Sequence, residues 1–80
     1  LKSLDISDCY ELVNIYPIKG LIQLEHLTLD ECTDIEDFSM LGDLIDLKTL
    51  SLDRCYINQY DLDLSISKLI NLKRLKIYKF

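Results

Sequence analysis

A chain of 80 residues, 49% apolar, with two glycines and one proline, excludes a disordered composition. It holds no run of 18 uncharged apolar residues, so no membrane span is expected. The net charge of −5 is uneven: residues 1–67 carry all 14 acids and only four bases, whereas Lys68, Lys73, Arg74, Lys76 and Lys79 follow with no acid among them.

The acidic body argues against general nucleic-acid affinity, because phosphate binding needs a basic surface. The basic end reads as a complement to acidic neighbours or as a solvated face.

In chain order, the first element is the phrase Leu1, Leu4, Ile6, Cys9, which has the form L-x-x-L-x-L-x-x-C. Leu4 and Ile6 alternate with Ser3 and Asp5, as in a short strand with one buried face. After it, Leu12, Ile15, Ile18 and Leu21 recur at every third residue. That spacing suits extended turns or 3₁₀ segments better than an α-helix, and Pro17 agrees with this.

The strand phrase returns at Leu24, Leu27, Leu29, Cys32, followed by Ile35, Phe38, Leu41 and Leu44 at the same three-residue rhythm. Gly20 and Gly42 stand near the return to the next strand. A third copy is Leu47, Leu50, Leu52, Cys55. A fourth, Leu72, Leu75, Ile77, has Phe80 where cysteine would stand.

The copies start at 1, 24, 47 and 72, so the period is 23, 23 and 25 residues. A period in the twenties points to stacked repeats: 1–23, 24–46, 47–71 and a partial 72–80. Strands at a fixed period imply a parallel sheet, with the rest of each repeat as its crossover. The third crossover is two residues longer, and Leu62, Ile66 and Leu69 lie at i, i+4, i+7. It is expected to be the most helical, with Ser65 or Asp63 as cap. No single repeat is expected to fold alone, and the chain is expected to be an internal piece of a longer array, because arrays need polar caps and none is visible.

The three cysteines form one column at a spacing of 23. No close C-x₂-C pair exists, so zinc is not expected. An odd number leaves one unpaired in any disulfide scheme. Buried reduced thiols are expected, which suggests cytoplasm or nucleus. His26 has Ser3 and Thr49 as expected sheet neighbours and reads as a polar face residue. The dense acids Asp30, Glu31, Asp34, Glu36 and Asp37 lack calcium-loop spacing and read as solvated turn residues.

The phrase and its period resemble the leucine-rich repeat family, L-x-x-L-x-L-x-x-N/C-x-L, over essentially the whole chain. Its short intracellular classes are the most similar. The resemblance implies an α/β solenoid: a curved parallel β-sheet on the concave face, and turns, 3₁₀ segments or a short helix on the convex face. It implies that Cys9, Cys32 and Cys55 point inward and bond the backbone of the turn, while Phe80 departs from that pattern. It implies protein–protein interaction, with no catalysis and no cofactor.

The concave face is therefore the candidate site. Its outward columns run from acidic and hydroxyl-rich to basic. Arg74 and Tyr78 are candidate anchors, being types enriched at binding hot spots. Asp30 and Asp53 are candidates for steering basic groups of a protein partner. His26, Thr49 and Lys76 complete the set. The competing readings are that these are ordinary polar sheet residues, or that Arg74 and Lys76 face acids of another repeat. At the level of the whole chain, the alternatives are a structural segment of a large assembly and the ligand-sensing region of a larger signalling protein.

Overall fold

The computed structural model describes residues 2–77. Leu1, Tyr78, Lys79 and Phe80 lie outside them. Four three-residue strands form one parallel sheet in sequence order: β1 (Ser3–Asp5), β2 (His26–Thr28), β3 (Thr49–Ser51) and β4 (Arg74–Lys76). The chain is thus α/β, with one α-helix, α1 (Gln59–Ile66), and two short 3₁₀ segments, Tyr16–Ile18 and Ser39–Asp43.

The register follows the period. Leu4 stands beside Leu27, Leu27 beside Leu50, and Leu50 beside Leu75. The two extra residues of the third repeat are absorbed in its crossover, so β4 still meets β3 in step.

Leu24, Leu27, Leu29, Leu47, Leu50 and Leu52 are fully buried. The three-spaced crossover residues Ile15, Ile18, Ile35, Phe38, Leu41 and Leu44 close the same core from the other side. Burial weakens toward both ends of the sheet: Leu50 is 1% exposed, whereas Leu75 is 39% exposed.

Backbone conformation explains how each strand turns away. Asp8, Glu31 and Arg54, all at the eighth position of the phrase, adopt left-handed φ values of 63°, 60° and 61°. Such a conformation costs a non-glycine residue about 1–2 kcal/mol. It is offset locally, since the Asp8 N–H donates to the Asp30 carbonyl at 2.9 Å and the Glu31 N–H to the Asp53 carbonyl at 2.7 Å.

The cysteine column lies at the same turn. The Cys32 thiol donates to the Ile6 carbonyl at 2.9 Å and the Cys55 thiol to the Leu29 carbonyl at 2.8 Å. Both bonds reach the preceding repeat, while Cys9 turns to its own Ser7 carbonyl at 3.8 Å. All three thiols are free.

A second recurrent device starts the crossover segments. The side-chain oxygens of Asn14, Asp37 and Asn58 accept from the backbone N–H two residues on, at 3.1, 2.8 and 2.7 Å. These are Asx turns. In the third repeat the turn caps α1, so Asn58 is the cap and not the expected Ser65 or Asp63. Asn58 wins because it alone precedes the first free helical N–H groups; Ser65 lies within the helix, buried, with its hydroxyl 3.4 Å from the Phe38 carbonyl. Leu62 and Leu69 are buried as expected, and Ile66 is half-buried. Gly42 lies inside the second 3₁₀ segment, which leads into the return to β3.

Leu50→Ala is expected to lower unfolding stability by about 2–5 kcal/mol, because the site is sealed on all sides. Leu75→Ala, at the open end, is expected to cost about 1 kcal/mol or less. Urea unfolding followed by circular dichroism checks the contrast.

Candidate functional site

The residues between the buried leucines face solvent. Register places Ser3, His26, Thr49 and Arg74 in one row, and Asp5, Thr28, Ser51 and Lys76 in the next. Over β2, β3 and β4 the two rows bound a shallow hollow of about 370 Å³. Its polar lining is His26, Thr28, Thr49, Ser51, Arg74 and Lys76, with no carboxylate among the lining residues.

Of the seven residues singled out from the sequence, four line this hollow: His26, Thr49, Arg74 and Lys76. Tyr78 lies outside the described residues. Thr28 and Ser51 join the four. Their outward position was readable from strand alternation, but a hydroxyl alone carries no signal of binding.

The His26 ring is fixed by its neighbour, with Nδ1 at 2.7 Å from the Thr49 hydroxyl oxygen. Arg74 has no carboxylate in ion-pair distance among the described residues. Lys76 has a loose one, Asp53 at 3.9 Å, and no other among the described residues.

Asp30 and Asp53 behave differently from the free steering charges expected of them. One oxygen of Asp30 accepts from both the Ser51 hydroxyl at 2.5 Å and the Asp53 N–H at 3.0 Å. Its carboxylate therefore ties the turn after β2 to the turn after β3. Asp53 points one oxygen toward Lys76, and its other oxygen is buried without a hydrogen-bond partner among the described residues.

Carboxylates elsewhere are also engaged internally, by cations or by hydrogen-bond donors. Glu25 bridges Lys48 at 3.1 Å and Lys2 at 3.7 Å. The Lys48 contact holds the Glu25 carboxyl below its ordinary range. Asp5 is lowered by the hydroxyl and N–H of Ser7, and Asp37 by the N–H and hydroxyl of Ser39. At the opposite edge the neighbouring Asp8 raises Glu31, with Arg54 at 3.2 Å opposing it. Glu31 and Asp8 together raise the nearby Tyr10 hydroxyl.

Tyr10, Tyr16, Tyr56 and Tyr60 are all more than half exposed in the crossovers. Among the described residues no group of three or more His, Cys, Asp or Glu is placed to hold a metal ion. Among them, too, no helix is long and apolar enough to cross a membrane. Comparison with protein families, curated proteins and solved structures finds no match.

Asp30→Ala is expected to cost about 1–3 kcal/mol, since it strands a half-buried hydroxyl and an N–H. Asp5→Ala, whose bonds are solvent-exposed, is expected to cost less. Chemical denaturation of the two variants separates a structural carboxylate from a surface one.

The thiols give a second expectation. Burial pushes Cys55 up from 9.0 to about 11 and also raises Cys32. A raised thiol favours the folded state below its ordinary value, and that contribution fades as pH climbs from 9 toward 11. Thiolate-selective labelling at pH 8 is expected to modify half-buried Cys9 first, and Cys32 and Cys55 only after urea is added.

Proposed function

We propose that this chain is a non-enzymatic leucine-rich repeat solenoid that binds a protein partner through the concave face of its sheet. The observation that supports this is the solvent-facing hollow over β2, β3 and β4, in which His26, Thr49, Arg74 and Lys76 converge. The residues that would have to carry catalysis are absent from that convergence: His26 meets a hydroxyl but no orienting carboxylate lines the hollow. What remains is a firm strand surface carrying short polar side chains and two long cations, a surface suited to recognition.

The cysteine column supports the family reading further. In that family the equivalent position bonds backbone, and Cys32 and Cys55 both donate to carbonyls of the preceding repeat. Thiols used in this way fit a reducing compartment, so we place the protein inside the cell.

The test is affinity purification from the source cell with three forms of the protein. They are the unaltered chain, a face variant (His26→Ala, Thr49→Ala, Arg74→Ala) and a crossover variant (Tyr16→Ser, Tyr56→Ser, Tyr60→Ser), each confirmed folded by circular dichroism. A partner lost with the face variant and kept by the crossover variant is the expected result. The reverse pattern would move the binding surface to the crossovers.

A further inference from the structure

We propose that the occupant of the β2–β4 hollow is an acidic segment of the partner protein, whose carboxylates are held by Arg74 and Lys76. This rests on the proposed binding face and specifies its chemistry. The first argument is charge left over after internal pairing. Glu25 is paired with Lys48 and Lys2, and Glu31 with Arg54, while Asp30 keeps its charge but is turned toward Ser51 and the Asp53 N–H. Arg74 and Lys76 stand at the hollow with one carboxylate between them, at 3.9 Å from Lys76.

The second argument is geometry. Arg74 ends the row that begins Ser3, His26, Thr49, and Lys76 ends the row that begins Asp5, Thr28, Ser51. Both cations thus line the hollow beside Thr28, Thr49 and Ser51. Ser51 already donates to Asp30 and Thr49 is bonded to His26, so Thr28 is the lining hydroxyl left to donate to a carboxylate oxygen. An arginine offers two parallel N–H groups to a carboxylate, and lysine adds a point charge beside it.

The third argument is range. Strands lie about 4.8 Å apart, so Asp5 on β1 is roughly 14 Å from Lys76 on β4. The screening length at physiological salt is about 8 Å. The acids at the β1 end therefore do little to cancel the cations at the β4 end. They do bound the site: a long polyanion such as a nucleic acid would run from the cations onto the acidic body, which holds all 14 acids against four bases. A short acidic stretch avoids that repulsion.

The experiment uses a fluorescein-labelled octapeptide of alternating glutamate and serine, with a lysine–serine octapeptide, a glycine–serine octapeptide and an eight-nucleotide oligothymidine as comparisons. Anisotropy is read at low and physiological salt. The glutamate peptide is expected to bind, to weaken as salt rises, and to lose roughly tenfold in affinity in Arg74→Glu/Lys76→Glu. A double variant of equal charge change elsewhere, Lys19→Glu/Lys68→Glu, is expected to change it less than about twofold.

Amide shift changes in the unaltered protein provide a readout that needs no variant. They are expected at Thr49, Ser51, Arg74 and Lys76. Equal loss in both double variants, shifts spread away from these residues, or tighter binding of the lysine peptide or the oligonucleotide would overturn the proposal. If the acidic peptide fails while the cellular partner still needs the face, only the acidic chemistry falls. If the partner ignores the face, the binding surface itself falls.

Discussion

The parallel register is the constraint on which the rest depends. It is held by a repeated backbone pattern at the start of each strand. The Lys2 carbonyl takes the N–H groups of Glu25 and His26, the Glu25 carbonyl those of Lys48 and Thr49, and the Lys48 carbonyl those of Lys73 and Arg74. A slip of one residue would turn His26 and Thr49 into the core and the leucines into water. With that register in place, like residues stack into columns. The inward columns make the core, and the outward columns become the site without any further instruction.

The columns also decide which charges are available. Carboxylates near the strand ends find donors in the neighbouring repeat, because every neighbour presents its own backbone at the same height. Asp30 takes the Asp53 N–H, and the Arg54 guanidinium reaches Glu31. The residues that flank the inward leucines on each strand have no such backbone donors to spare, since those are committed to the ladder. Their side chains lie on the outward face, and what they carry is what a ligand meets.

Much of this was legible in the sequence because periodicity translates directly into geometry. Alternation at Leu27 and Leu29 became one buried face, the three-residue rhythm became 3₁₀ segments, and the longer third crossover became α1. Less legible were features that depend on single atoms. The sequence places Asp30 on an outward column but does not say that its oxygen bends back to Ser51. The left-handed turn residues were hidden because Asp8, Glu31 and Arg54 carry none of the glycine signal such a turn usually leaves. The Asx turns left a readable trace, Asn14, Asp37 and Asn58 at nearly the repeat spacing, but a cap is recognised only once the helix start is known.

The same reasoning favours the sheet over the exposed tyrosines as a place to bind. Association costs about 0.5–1.5 kcal/mol for each rotamer-rich side chain it immobilises. In the hollow, Thr28, Thr49 and Ser51 are short and stand on a hydrogen-bonded sheet, and His26 is already oriented by Thr49. Only Arg74 and Lys76 need to be ordered, and they are the groups that gain most from a charged ligand. The tyrosines stand on separate segments, Tyr16 on the first 3₁₀ segment and 60% exposed, Tyr60 on α1 and 70% exposed, with no strand ladder to align them. A face whose ordering was completed during folding spends less of its interaction energy when a partner arrives.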